Sequence, residues 1–274
     1  MRTNARATAE SSVAHPQAMQ CMEIWGGTSA VERWVATPGL DLWIYSKPHG
    51  DAREGGDIHY VSLCAGGVIT RLIVADVAGH GLAVAECSAM LRGLMRKNIN
   101  RKNATRMIRA LNQQFVAQSR LHRFATALVG TYLALSDQFT LCNAGHPRPL
   151  WFRASSREWT VLSEDTPGVS TTGATCANLP LGLDREATYD QYALRLSRGD
   201  ILLFYTDALI ESVDEKGRHL GERGLLAMTQ GLAMSDPHLV GPALLAGVEA
   251  YRGGKPARDD LTILCLYHNA NPPR

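Results

Sequence analysis

Four aspartate sites stand where strand-like segments begin or end. Asp57 follows Gly55-Gly56 and opens the apolar run from Ile58 to Cys64. Asp76 closes Leu72-Ile73-Val74-Ala75 and precedes Gly79-His80-Gly81. Asp207 comes at the end of Ile201-Leu202-Leu203-Phe204-Tyr205, and Asp259-Asp260 directly precede Leu261-Thr262-Ile263-Leu264. A single aspartate at a strand end is an ordinary turn residue. Four of them against strands apolar enough to be buried weigh differently, because a buried carboxylate is costly unless it is paired or bound to metal. Neither Asp76 nor Asp207 has a Lys or Arg immediately beside it. Strand ends distant in sequence meet at one edge of a sheet, and clustered hard oxygen ligands suit Mg²⁺ or Mn²⁺. Two such ions can share an aspartate and lower the pKa of a bridging water, which is the chemistry of in-line attack on phosphorus.

The elements that must position these residues follow from hydrophobic period. Leu40–Tyr45 reads as a strand, and Lys47–Gly56 as a loop rich in Gly, Pro and charge. Ile58–Cys64 and Thr70–Ala75 read as strands joined at Gly66-Gly67, a hairpin signal. Val84, Cys87, Leu91, Leu94 and Met95 recur at helical spacing and predict a helix over Leu82–Lys97. Met107, Ile108, Leu111 and Phe115 predict a second helix over Ala104–Gln118, with Asn103 as its N-cap. Ala125–Ala134 and Phe139–Asn143 form a further hairpin signal, and Pro149–Arg153 with Glu158–Leu162 another. Ser163–Leu183 reads as a long loop. Tyr189–Leu196 and Ile201–Tyr205 are strands around Arg198-Gly199-Asp200. Asp236-Pro237 starts a helix reaching Tyr251, because Pro is tolerated at the first helical position. Leu261–His268 is a last strand. Strands, two adjacent helices, more strands, then helix and strand are not the alternation of a doubly wound sheet; they fit antiparallel sheets covered by helices.

In that order the motifs resemble the metal-dependent serine/threonine protein phosphatases, in the bacterial branch typified by the stage-II sporulation phosphatase and the stress-response sigma-factor regulators. The matching segments are Gly55-Gly56-Asp57, Asp76-Val77-Ala78-Gly79-His80-Gly81, Phe124-Ala125-Thr126, Asn143-Ala144-Gly145-His146-Pro147, Leu181-Gly182, Gly199-Asp200 with Leu203-Phe204-Tyr205-Thr206-Asp207, and Asp259-Asp260-Leu261-Thr262. The resemblance implies an α+β fold: two stacked antiparallel sheets flanked by helices, a four-layer sandwich. It implies a phosphatase domain over residues 40–270 behind an N-terminal extension of residues 1–39. It also implies a centre of two Mn²⁺ or Mg²⁺ ions. There Asp76 would bridge both ions, the Val77 carbonyl would bind one, Asp207 and Asp259 would bind the second, and Asp57 would hold a water at the centre. Asp260 is the weaker ligand of its pair. The substrate implied is a phosphoserine or phosphothreonine protein, a small phosphorylated regulator of the anti-anti-sigma type. The competing reading is a phosphatase-fold binding module with little or no catalysis. Two positions depart from the pattern. Ala208 stands where the family has Gly, and a positive φ there would strain it by about 1 kcal/mol or more. Ala78 stands where eukaryotic relatives place a histidine. His80 and His146 read as turn residues rather than acids. Arg53, near Asp57, is the candidate phosphate-binding arginine by position alone.

Composition excludes other classes. The 28 Lys+Arg against 26 Asp+Glu leave a net charge of +2, and no basic run suggests nucleic acid or an anionic membrane as partner. The 274 residues are 45% hydrophobic, too apolar for disorder throughout. No stretch approaches the ~20 apolar residues of a membrane span, and no signal-peptide core opens the chain, so a soluble cytoplasmic protein is expected. The six cysteines make no C-x-x-C and read as small reduced hydrophobes. Residues 1–20 are polar, with disorder expected. Met22–Val35 reads as a short helix interrupted by Gly26-Gly27. Ile24, Trp25, Val31, Trp34 and Val35 give this stretch enough apolar surface to pack either on the core or on a second subunit of a homodimer.

Overall fold

The computed structural model describes residues 16–79, 82–99, 101, 103–119, 123–172, 178–234 and 236–272. In chain order the strands are β1 (Gln17–Ala18), β2 (Ile24–Gly27), β3 (Val31–Thr37), β4 (Leu40–Lys47), β5 (Asp57–Cys64) and β6 (Ile69–Val77). Helices α1 (Leu82–Asn98) and α2 (Ala104–Gln118) follow. Next come β7 (Ala125–Leu133), β8 (Gln138–Ala144), β9 (Leu150–Arg153), β10 (Glu158–Val161), β11 (Ser170–Thr172), β12 (Gln191–Arg195) and β13 (Ile201–Tyr205). The chain ends with α3 (Asp207–Ile210), α4 (Gly221–Gln230), α5 (Val240–Tyr251) and β14 (Leu261–His268).

Two seven-stranded sheets form, in the orders β1-β3-β4-β14-β13-β9-β10 and β11-β12-β8-β7-β6-β5-β2. All pairings are antiparallel except the short β1–β3 pair. Strand period sorts the side chains into three cores. Ile58 and Tyr60 of β5, with Ile73 and Ala75 of β6, face α1 and α2. Val61, Leu63, Leu72 and Val74 face the other sheet, meeting Leu42, Ile44, Phe204 and Leu264. Trp43, Leu203, Tyr205 and Ile263 face α3, α4 and α5. Central strands covered on both faces read as continuous apolar runs for this reason. The result is the expected α+β sandwich of four layers. Asn103 caps α2 as expected, accepting the Arg106 N–H at 2.9 Å.

Three readings change. Met22–Val35 is not a helix: it forms β2 and β3, and β3 pairs with β4 from Val31↔Ser46 to Thr37↔Leu40. Its apolar residues pack on the chain's own sheets, Trp25 and Val31 on the inter-sheet core and Trp34 on the outer one. The expected loop 163–183 contains β11. Helix α4 was given no element by the sequence, because Gly221 and Gly224 erase its propensity; burial of Leu225 and Thr229 holds it. Disorder was expected over residues 1–20; residues 1–15 lie outside the described residues, while Gln17-Ala18 pair with Val35-Ala36. Among the described residues no helix is long and apolar enough to cross a membrane.

Candidate active site

Strand pairing brings the first two carboxylates together. Asp57 opens β5 and Asp76 is the next-to-last residue of β6, and the two are register partners. Asp76 is also the partner of Thr126 on β7. Asp57 is 3% exposed. From the other sheet, Thr206 donates its hydroxyl to Asp57 Oδ2 at 2.8 Å, and Thr206 Oγ1 accepts the Thr262 N–H at 2.9 Å. Thr206 and Thr262 flank the β13–β14 pair that ends at Asp207 and Asp259-Asp260, so this relay ties both sheets at one edge.

Asp207 is the first residue of α3, with Thr206 as its N-cap. Asp259 lies in the turn before β14, and its Oδ1 accepts the Asp260 N–H at 2.8 Å. Asp260 points back to the glycine turn. Its Oδ1 accepts the His49 N–H at 2.6 Å, and its Oδ2 makes a short hydrogen bond from the Gly56 N–H. A Cβ on Gly55 would lie 2.4 Å from Asp260 Oδ2, so glycine is what permits the approach. A Cβ on Gly56 would lie 3.1 Å from the Val77 carbonyl oxygen, which places that carbonyl beside the same turn.

The electrostatics are one-sided. Burial first, then the charge of Asp76, pushes the Asp57 carboxyl well above its ordinary range, against hydrogen bonds from Thr262 and Thr206. Burial, with Asp207, Asp259, Asp260 and Glu211, raises Asp76 to about 7. Burial, Glu211 and Asp259 raise Asp207, while the N–H groups opening α3 oppose them. Among the described residues, every charge acting on these three carboxyls is another carboxylate. Such a set is destabilising unless a cation joins it, and oxygen donors with a backbone carbonyl beside them match Mg²⁺ or Mn²⁺. No three acidic, histidine or cysteine side chains among the described residues already form a ligand set for one ion. That is compatible with ions that keep several waters and bind through one or two carboxylates each.

The predicted residues therefore come to one edge: Asp57, Asp76, Val77, Asp207 and Asp259. Asp260 is the clamp of the glycine turn. Thr206, Thr262 and Glu211 were missed as contributors, although both threonines stood inside the quoted motifs. Arg53 is exposed and makes no contact with the carboxylates among the described residues. Among the described residues, Arg123 lies beside the turn after Asp76: its guanidinium donates to the Ala78 carbonyl at 3.1 Å, beside Gly79. Ala208 lies in α3 and is not among the residues with positive φ, so the strain considered for it is absent. His146 is buried; its Nδ1 pairs with Thr126 Oγ1 at 2.8 Å, and its backbone is held by the Asn143 side chain. Burial lowers its pKa to about 3, so it is a neutral structural residue behind Asp76. Asp200 holds a turn at the other end of β13, accepting N–H groups from Ala154 and Ser197. His80 lies outside the described residues.

The chain is similar to known proteins in sequence and in fold. Residues 69–269 match the family model described as stage II sporulation protein E. The phosphoserine phosphatase RsbU of Bacillus subtilis strain 168 is 25% identical over 151 residues, which are 54% of this chain and 41% of RsbU. A crystal structure of the RsbU and RsbW domains of a Mycobacterium tuberculosis protein superposes with a TM-score of 0.70 at 26% identity, covering 90% of this chain and 64% of that one. RsbX in complex with magnesium shares the fold, with a TM-score of 0.60 at 18% identity over 86% of this chain and 99% of RsbX. The chain thus spans less than two thirds of the first two of these relatives.

Proposed function

Because the chain belongs to the stage II sporulation protein E family, we propose that it is a protein phosphatase hydrolysing phosphoserine or phosphothreonine at a centre of two Mn²⁺ or Mg²⁺ ions. The observation that carries this is the carboxylate edge, where every charge from the described residues that acts on Asp57, Asp76 and Asp207 is negative. The magnesium in the RsbX structure and the name of RsbU support it. In this reading Asp76 would hold both ions, the Val77 carbonyl would hold one, Asp207 and Asp259 would hold the other, and Asp57 would orient a water. When bound, the ions supply Lewis acidity and lower the pKa of water.

The rest is done by the chain. The Thr262–Thr206 relay fixes the Asp57 carboxylate. Asp260 holds Gly56, and with it the start of β5, in register with Asp76. The α3 N–H groups oppose the rise that burial and acidic neighbours impose on the Asp207 carboxyl. The substrate in this reading is a phosphorylated regulator of the anti-anti-sigma type, as the RsbU likeness suggests, met in the cytoplasm. Purified protein with Mn²⁺ or Mg²⁺ is expected to hydrolyse p-nitrophenyl phosphate and a phosphorylated regulator of this type. Asp76→Asn is expected to lower turnover at least about 100-fold, the loss when several kcal/mol of charge stabilisation is removed. Turnover undiminished by EDTA would overturn the metal-dependent reading.

A further inference from the structure

The turn that carries the chain from β2 in one sheet to β3 in the other closes a cavity of about 270 Å³ at the sandwich edge. Trp25 and Ile44 give it apolar walls, and Ser29, Arg33 and His59 are its polar lining. His59 is 4% exposed and lies on the β5 face that looks between the sheets, one step inward from Asp57. Its Nδ1 has no hydrogen-bond partner among the described residues. A buried polar nitrogen left unsatisfied costs about 1–3 kcal/mol, so native structures seldom keep one without a ligand or water to serve it. Arg33 is the one formal charge among the described residues of the lining. Its guanidinium lies 5.5 Å from the Trp25 ring centroid, and it makes no ion pair with a carboxylate among the described residues. Gly26 keeps the wall thin: its φ is +147°, and a Cβ there would lie 2.0 Å from the His59 carbonyl oxygen.

We propose that this cavity binds a small anion, a carboxylate or a phosphate, at a site separate from the carboxylate edge. Arg33 supplies the positive charge at the mouth, where stacking on Trp25 limits its motion. The neutral His59 ring supplies a donor in the interior, and Ser29 supplies a hydroxyl. The volume falls below the ~300–1,000 Å³ of pockets that enclose drug-sized ligands, which limits the occupant to a compact ion. The occupant is mechanically linked to the other edge, because Thr28 in the same turn accepts the Gly55 N–H at 3.0 Å. The site stands whether or not the chain hydrolyses phosphate esters.

The test is a titration of the full chain, freed of metal on a chelating resin rather than with EDTA, itself a polycarboxylate. Inorganic phosphate and acetate are added in separate series at constant ionic strength, with chloride as the control. The His59 ring and the Gly55 amide are followed by NMR. Saturable shifts at both positions are expected with phosphate or acetate, and whichever saturates lower names the class. Arg33→Ala, at an exposed position that leaves the core intact, is expected to weaken binding about tenfold or more, the loss of one hydrogen bond to a charged group. Arg33→Lys is expected to restore part of it. No saturable shift in the millimolar range, shifts equal to those of chloride, or binding unchanged in Arg33→Ala would each overturn the site.

Discussion

Asp57 and Asp76 face each other across two strands, and among the described residues the charges acting on Asp76 all come from other carboxylates. A carboxyl whose folded pKa is raised binds its proton more tightly when folded. Its contribution to stability is therefore present below the ordinary value near 4 and is lost as pH climbs through the raised one. For Asp76 the window runs from the ordinary carboxylate range to about 7. Metal-free wild type is thus expected to lose melting temperature across that window relative to Asp76→Asn. The variant is expected to be the more stable of the two at mildly alkaline pH, with the curves meeting in acid. A difference independent of pH, followed by calorimetry, would show that Asp76 is not under this strain, and Mn²⁺ should close the gap by stabilising wild type alone. Asp260 has the opposite role. It satisfies two backbone N–H groups, so Asp260→Ala is expected to cost about 1–3 kcal/mol in urea unfolding and to weaken Mn²⁺ binding. The four aspartates of the candidate edge were legible because each abuts an apolar strand. Thr206, Glu211 and Arg123 were not, because their roles depend on which strands become neighbours, and spacing along the chain does not carry that.

Elements with a strong period were legible, and those held by tertiary packing were not. Helix α2 shows its stripe and its cap in the sequence, and the structure has both. Strand β2 contains Gly26-Gly27 and no alternating pattern; it is a strand because β5 offers a free edge with partners from Ser62 to His59. Helix α5 shows the same override in a testable form. Gly241 is helical, and replacing it with Ala would raise helix propensity by about 1 kcal/mol in a free helix. Here the added Cβ would lie 2.3 Å from Cε3 of Trp43, a side chain 1% exposed and stacked on Tyr45. Overpacking a rigid core typically costs 1–3 kcal/mol, so packing outweighs propensity. Gly241→Ala is expected to lower the unfolding free energy by about 1–2 kcal/mol in urea. An increase would mean that α5 is free to slide on its sheet.

At the scale of the whole molecule, the candidate edge depends on two sheets staying in register, and the segment before residue 40 takes part in both. β2 closes one sheet against β5, while β1 and β3 extend the other beyond β4. Sequence alone left open whether this segment packs on its own core or on a second subunit. Its apolar residues were visible, but alternation too weak to name a strand could not say which edge it would meet. In the fold Val35 is fully buried against its own chain, and Trp25 and Val31 cover the inter-sheet core. Removing residues 1–37 strips an edge from each sheet. Burial of one such side chain is worth about 1.5–3 kcal/mol, and several are lost together. At 2–4 °C per kcal/mol for a domain of this size, the truncated chain is expected to melt roughly 10 °C or more below the full one. The loss should appear in calorimetry at low protein concentration, where a subunit contact would already have dissociated. An unchanged melting temperature with a change in oligomer size would instead assign the segment to a partner subunit. The truncation also removes Thr28, the acceptor of the Gly55 N–H. Mn²⁺ binding by whatever folded fraction survives should therefore fall as well, since the glycine turn that opens β5 would keep only its Asp260 clamp.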